Sequence, residues 1–428
     1  MLTVAFLANE FPSPIEPYVA DEIEELERRH VRVVAGSVRR PKDNDSLAPE
    51  IVVQALDCRV LVRAAWLCIH RSRRIAPFIY RIVFQGNESF WQRSKAIVHT
   101  FLGACYAVKL EGRGVRHVHA HHGYLGSWIA MTAARLLGVS FSMTLYGSDL
   151  LLYGLYLDTK LAECAFCLNV SQYNRRYILE HYPSIDPEKL LVLRMGVDIP
   201  EHATPPDATA RTDRDPLILL AVGRLHPVKD HAFLVRACGE LRARDVAFQC
   251  FIVGEGPEHR ALNSLIYRCG LEQDVHLLGF VSPAQRDSLY DRADVVALTS
   301  RSEGIPVVLM EAMARGKLVL APAITGIPEL VIAGTTGFLY ETGSTDEFVV
   351  ALLFIRSQME NRLDPYELNA HVIARVPQLD WIRQRARMHV CQNFSRNRNL
   401  QLFADLFLQR IVPRTESTPD ENPVLQQI

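Results

Sequence analysis

The sequence predicts an α/β protein made of two doubly wound, parallel-sheet domains. Three observations carry that prediction. Short β-type runs alternate with helical segments along most of the chain, and parallel strands need such crossovers. A second alternating series starts after a Pro-, Thr- and charge-rich stretch. The length of 428 residues exceeds the roughly 250–300 at which single cores tend to split.

In the first half the strand candidates are Leu2–Ala8, Val31–Gly36, Val115–His119, Ser140–Tyr146, Phe166–Val170 and Leu190–Arg194. Helical stretches such as Pro17–Arg29 and Tyr124–Leu137 separate them. The N-terminal domain is assigned to 1–197 and the linker to 198–216. A second domain, 217–378, holds apolar strands at Leu217–Val222, Phe248–Val253, Val275–Leu278, Val295–Leu298 and Leu318–Ala321. Helices are expected between them at 230–244, 258–269, 283–292 and 306–315. C-terminal helices occupy 379–411, and a polar tail, expected to be disordered, fills 412–428.

Composition narrows the function. Hydrophobic residues make up 49% and charged residues 22%, which excludes a mostly disordered protein. Lys+Arg is 47 against Asp+Glu 48, so no global basic excess points to nucleic acid. Nine scattered cysteines suit reduced thiols and a cytoplasmic setting. Cys164-x-x-Cys167 sits in an apolar run and is expected to be packing. The N-terminus reads as a first strand and not a signal peptide.

Residues 59–95 stand apart. Eight Lys or Arg residues (Arg59, Arg63, Arg71, Arg73, Arg74, Arg81, Arg93, Lys95) and one acid, Glu88, are interleaved with Trp66, Phe78, Tyr80, Phe84, Phe90 and Trp91. Two readings fit: peripheral contact with an anionic membrane, or a solvated helix pair packed on the sheet.

The densest chemical signal is Ser302-Glu303-Gly304-Ile305-Pro306-Val307, running on to Glu311. A strand ends, a loop carries Glu303 and Gly304, and a helix is expected to begin at Pro306. The first N–H groups of a helix favour an anion, and Pro fits its first position. Glu311 lies in an otherwise apolar helix, where a carboxylate needs a partner; ligand hydroxyls or a salt bridge would serve. Gly223-Arg224-Leu225 with Lys229 places two cations on a strand-to-helix turn, at the edge where open α/β sheets bind ligands. Gly254-Glu255-Gly256-Pro257 closes the next strand with a turn. Together these suit a diphosphate with attached polyols.

With these motifs in this order, the sequence resembles the retaining GT-B glycosyltransferases, a family 4-like group that includes bacterial exopolysaccharide, lipopolysaccharide and colanic-acid-type transferases. Its E-x7-E motif matches Glu303 and Glu311; its G-R-L…K motif matches Gly223, Arg224, Leu225 and Lys229. Its G-x-G-P turn matches Gly254, Gly256 and Pro257. Thr325-Gly326-Ile327-Pro328-Glu329 matches its G-G-x-x-E stretch, with Thr325 in place of the first Gly. More loosely, Phe11–Val19 with Glu16 resembles the opening loop of such transferases. His119 and His121 resemble a strand-end His-x-His facing the cleft. Tyr146-Gly147-Ser148-Asp149 falls where the family often has His-Gly-x-Asp, so Tyr146 replaces a donor-sugar contact. Met195 stands where an Asn usually precedes Gly-Val-Asp.

The resemblance implies two facing Rossmann-like domains, with a C-terminal helix returning to the first. It implies catalytic roles for Glu303, Arg224 and Lys229, and donor binding by Gly223, Gly254, Gly304, Ile305, Pro306, Val307 and Glu311. Acceptor or cleft roles fall to Glu16, His119, His121, Tyr146 and Asp149. The expected reaction moves a hexose from a nucleotide-sugar donor, with retention and with neither cofactor nor metal. The acceptor would be a saccharide or lipid-linked saccharide, at the inner face of the cytoplasmic membrane. Two rivals remain at this stage. One is a non-catalytic nucleotide-sugar-binding scaffold. The other is a metal hydrolase using His117, His119, His121 and His122, although alternation leaves only His119 and His121 as evident ligands on one face. Asp43-Asn44-Asp45, a match to the Asp-x-Asp of metal-dependent transferases, follows Arg39-Arg40-Pro41-Lys42 and reads as an exposed loop.

Overall fold

A computed structural model describes residues 1–13, 16–41, 48–201, 215–360 and 378–412. Asp43-Asn44-Asp45, most of the linker and almost all of the expected tail lie outside them. The protein divides into two compact units: Met1–Arg194 with Asn399–Ile428, and Met195–Arg398.

The N-terminal unit is built on a seven-stranded sheet. Its strands are β1 (Thr3–Ala8), β2 (Arg32–Ser37), β3 (Ile51–Val52), β4 (Val115–His121), β5 (Ser140–Leu145), β6 (Phe166–Asn169) and β7 (Leu190–Val192). The order is β3-β2-β1-β4-β5-β6-β7, and every neighbouring pair is parallel. Helices on both faces make the strands apolar on both sides, so β1 is buried along its whole length. One face packs on Trp128, Tyr106 and Phe78. The other is covered by the helix Tyr18–Arg28 and by Phe403 and Phe407 of the last helix, Arg396–Ile411. Phe407 stands 5.6 Å from Phe6 and 5.7 Å from Phe166, edge to face. Truncating so deeply buried a Phe to Ala typically costs about 3–5 kcal/mol. The return of the last helix to this unit therefore closes its core.

The second unit holds a six-stranded sheet. Its strands are β8 (Leu217–Val222), β9 (Phe248–Val253), β10 (Val275–Gly279), β11 (Val295–Ala297), β12 (Leu318–Pro322) and β13 (Phe338–Tyr340). The order is β10-β9-β8-β11-β12-β13, again parallel throughout. The helix Leu379–Asn393 buries Ile382, Ala386 and Val390 here. The two C-terminal helices, grouped as 379–411 from sequence, thus serve different units. The short strands β3 and β13 escaped the sequence reading.

Residues 59–95 fall in the helices Cys58–His70, Ser72–Phe84 and Phe90–Leu110. Most of their arginines are engaged within the unit. Arg71 and Arg74 donate to the Leu136 carbonyl at the end of the helix Leu125–Leu137. Arg81 pairs with Glu88 and Asp158, Arg93 donates to the carbonyls of Ile82, Val83 and Gly86, and Arg63 pairs with Glu111. Arg59, Arg73 and Lys95 remain exposed, and so do large apolar side chains: Trp66, Ile69, Phe84, Phe90 and Trp91 are 60–77% accessible. No helix among the described residues is long and apolar enough to cross a membrane.

Candidate functional site

In the second unit the strand order reverses between β8 and β11, and open α/β sheets place ligands at the C-terminal strand ends beside such a reversal. Gly223 and Arg224 follow β8, Gly254 follows β9, and Glu303 lies in the loop after β11. Lys229 ends the short 3-10 turn Pro227–Lys229, and its Nζ donates to Glu303 Oε1 at 2.5 Å. Both side chains are largely buried. Backbone bonds fix this meeting. Thr299 Oγ1 donates to the Lys229 carbonyl at 2.9 Å, and Arg301 N–H to the Val228 carbonyl at 2.8 Å. Arg301 also pairs with Asp230 at 2.7 Å, and Asp230 caps the helix His231–Ala243. Arg224 is exposed.

The glycines have a spatial reason. Gly254 adopts φ +140, and a Cβ there would stand 2.0 Å from the Gly223 carbonyl oxygen. The turn after β9 is therefore pressed against the turn after β8. A Cβ on Gly326 would likewise meet the Gly304 carbonyl at 2.3 Å, which ties the 325–326 turn to the Glu303 loop. Thr325, where the family resemblance leads one to expect Gly, holds a left-handed φ of 48.

The helix expected to begin at Pro306 spans Val307–Ala314, with Pro306 as its extended N-cap. The correction follows from ψ 116 at Pro306, which lies outside the helical region. Leu309 and Met310 donate to the Pro306 carbonyl. Val307 and Val308 come before them, so their N–H groups have no acceptor within the helix. Ile305 is buried in the core and contributes packing. Glu311 has protein partners: Tyr290 O–H donates to Oε2 at 2.8 Å, and Arg286 lies 3.5 Å from Oε1. Burial and that carboxylate hold the Tyr290 hydroxyl well above its usual range. Sequence reading missed Tyr290, Arg286 and His231. His231 is buried beside Gly223 and Lys229, and burial pushes it down to about 4.

In the N-terminal unit the expected cleft residues are mostly internal. His119 and His121 do not face open space; both are buried, because the last helix brings Phe407 to 5.3 Å from His119 and Glu22 lies 3.7 Å from His121. Ser142 and Thr144 take the two ring nitrogens of His119. Burial holds His119 well below its usual value and His121 down to about 3. Tyr146 turns its hydroxyl inward to His121 Nδ1 at 2.8 Å, so it does not present the group of the His it replaces. Asp149 is fully buried and accepts the N–H groups of Gly123, Tyr146 and Gly147, making it a loop anchor.

His122, named from sequence only within the rival metal cluster, joins these groups. It lies 2.9 Å from Glu16 and 3.6 Å from Asp149. Burial alone would lower its pKa, but the two carboxylates raise it to about 9. Burial opposes ionisation of Asp149, and the His122 imidazolium with the loop N–H groups outweighs it and holds the carboxyl below its usual range. Glu22 is the third potential metal ligand that the sequence did not reveal: with His119 and His121 it offers ligand atoms all within 4.8 Å of one another. Cys164 and Cys167 are buried free thiols, as packing requires, with Cys164 pushed up to about 12 by burial.

Residues 207–369 match the family model described as Glycosyl transferases group 1. Over 159 residues, 36% of this protein and 38% of the relative, the sequence is 40% identical to the putative colanic acid biosynthesis glycosyltransferase WcaL of Salmonella typhimurium. Over 193 residues, 43% and 46% of the two proteins, it is 34% identical to the amylovoran biosynthesis glycosyltransferase AmsK of Erwinia amylovora. These matches span less than half the length of the curated relatives. Among solved structures, the apo lipopolysaccharide outer core galactosyltransferase WaaB has a TM-score of 0.63 at 17% identity, over 96% of this protein and 100% of the other. Anabaena HepE in complex with UDP-glucose has a TM-score of 0.64 at 18% identity, with the same coverage. At such identities the likeness shows the fold, that of GT-B glycosyltransferases.

Proposed function

Residues 207–369 of this protein form a glycosyl transferase group 1 domain, and we propose that the whole protein moves a hexose from a nucleoside-diphosphate sugar to a saccharide or lipid-linked saccharide, in cell-surface polysaccharide synthesis. The observation that carries this reading is the Lys229–Glu303 pair at the β8/β11 reversal, beside the helix that starts after Pro306. WcaL and AmsK, named for polysaccharide synthesis, support the pathway, and HepE, solved with UDP-glucose, supports the donor class.

The donor diphosphate sits at the Val307 and Val308 N–H groups. Arg224 and Lys229 stabilise the charge that grows on the leaving diphosphate, where such electrostatic help lowers a barrier most. These groups supply the positive charge without a metal. Glu303 orients hydroxyls of the transferred sugar and faces the oxocarbenium-like state. Glu311, held by Tyr290, keeps spare lone pairs for ribose hydroxyls. Retention follows from the resemblance: the acceptor attacks from the side the diphosphate leaves, and the leaving phosphate takes the acceptor proton. The protein works at the inner face of the cytoplasmic membrane, touching it through Trp66, Ile69, Phe84, Phe90 and Trp91.

Thermal shift against UDP, GDP, ADP and their sugar conjugates, with and without EDTA, tests the reading. A ligand that binds only the native state raises the midpoint by mass action. One preferred nucleotide whose shift survives EDTA is expected. No shift with any of them would overturn the proposal. Sedimentation with anionic vesicles tests the membrane contact, which fails if the protein stays in solution at low salt.

A further inference from the structure

The N-terminal unit contains an open cavity of about 760 Å³ that none of the expected acceptor residues lines. It sits at the C-terminal ends of β1, β2 and β4, where the order of the first sheet reverses. Its wall carries Asn9, Arg39, Gln92, Lys95, Tyr124 and Tyr153, and no acidic residue is among the residues lining it. We propose that this cavity binds an amphiphilic acceptor in which a diphosphate joins an apolar tail to a saccharide, with Arg39 and Lys95 on the diphosphate.

The charges point there first. The Arg39 and Lys95 side chains are exposed and make no ion pair among the described residues, whereas close by in sequence Arg63, Arg81 and Arg93 pair with carboxylates and Arg71 and Arg74 donate to a backbone carbonyl. Both cations also lie near one neighbour: burial lowers His99, its bond to the Lys95 carbonyl opposes that, and the charges of Lys95 and Arg39 lower it. Arg39 is placed by its backbone, whose N–H donates to the Asn9 carbonyl at 3.1 Å. An Arg fork and a Lys point charge without a carboxylate between them suit phosphate oxygens.

The second argument is the helix that supplies Lys95. In Phe90–Leu110 the spacing Trp91, Lys95, Val98 puts an apolar ring, a cation and an apolar side chain on one face. Trp91 is 74% and Val98 56% exposed, and Phe90 beside them is 76% exposed. A hydrocarbon tail leaving the cavity along that face would cover side chains that water now wets. The third argument is the polar wall. Tyr124 and Tyr153, with ring centroids 6.3 Å apart, offer flat surfaces for a sugar ring. Gln92 gives its side-chain oxygen to the Ser89 N–H at 2.7 Å, which leaves its amide N–H groups as donors.

This inference rests on the transferase reading for its biological sense, but its test does not. Full-length protein is titrated by calorimetry with farnesyl diphosphate, inorganic pyrophosphate and farnesol, as wild type, Arg39→Gln and Lys95→Gln. Farnesyl diphosphate should bind at least tenfold more tightly than either fragment, and each substitution should weaken it about tenfold. Unchanged binding in both variants overturns the site. Equal binding of pyrophosphate leaves a plain anion site, and equal binding of farnesol an apolar patch; either overturns the amphiphile. The nucleotide thermal shift is measured on the same three proteins. If it is absent while prenyl binding still depends on Arg39 and Lys95, the transferase reading fails and the cavity assignment stands. If it is retained in variants that bind farnesyl diphosphate like wild type, the cavity assignment fails alone.

Discussion

Lys229 Nζ and Glu303 Oε1 lie 2.5 Å apart, joining the turn after β8 to the loop after β11. The pair couples the cation proposed for the leaving diphosphate to the carboxylate proposed for the sugar. Glu303→Ala and Lys229→Ala are each expected to abolish transfer in a donor-turnover assay, by about 10²-fold or more, while far-UV circular dichroism stays native. Because the two residues share one contact, the double variant should lose much less than the product of the single losses. Near-normal turnover in either single variant would remove the pair from the mechanism.

Glu311 makes a separate prediction through Tyr290. Tyr290→Phe removes the hydrogen bond to a largely buried carboxylate and keeps the ring. A bond to a charged group contributes about 1.5–3 kcal/mol. If Glu311 meets the donor ribose, nucleotide affinity falls about tenfold while turnover at saturating donor changes little. A turnover defect with unchanged affinity would place Glu311 elsewhere in the cycle.

Thr325 carries the clearest backbone strain near the site. A β-branched residue at φ 48 is unfavourable, and its Oγ1 is buried without a partner. Left-handed non-Gly positions cost on the order of 1–3 kcal/mol. Thr325→Gly should therefore raise the melting midpoint by a few degrees, whereas Gly326→Ala should lower it. The added methyl at 326 would meet the Gly304 carbonyl, displace the Glu303 loop and reduce turnover as well. A stabilised Gly326→Ala protein would show that the 325–326 turn yields instead.

The strands of the second unit other than β13 were legible in sequence because each is a continuous apolar run between turn residues, as Leu217–Val222 shows. That Glu303 and Lys229 belong to one strand-end edge was readable as motif and topology, but their direct pairing was not. What escaped depended on distant packing. Glu311 meets Tyr290 only because two helices lie side by side, and no local spacing reports that. His119 and His121 are internal because Phe407, far along the sequence in the last helix, closes over them. The arginines of 59–95 left a membrane patch and a packed helix pair both open, because composition cannot show that Arg71 and Arg74 reach the end of another helix. The cavity at Arg39 and Lys95 joins five separate segments that no linear motif links.

Two buried groups of the N-terminal unit oppose each other between about pH 7 and 9. His122 is raised from 6.5 to about 9 against burial by Asp149 and Glu16, so its contribution is complete below about 6.5 and is lost as pH climbs through 9. Lys160 is lowered from 10.5 to about 7 by burial, which Asp149 only partly offsets; it donates to the Gly123 carbonyl. Its protonated form is penalised in the folded state, so its contribution to stability grows from about pH 7 towards 10.5. Each slope is at most about 1.4 kcal/mol per pH unit, and the signs are opposite. Wild-type stability should therefore vary little over this range. Removing Lys160 with Lys160→Met should expose a fall between pH 7 and 9, and His122→Gln should expose a rise. Urea unfolding at half-unit pH steps reads both slopes, and parallel profiles in the two variants would show that neither group is shifted as its surroundings require.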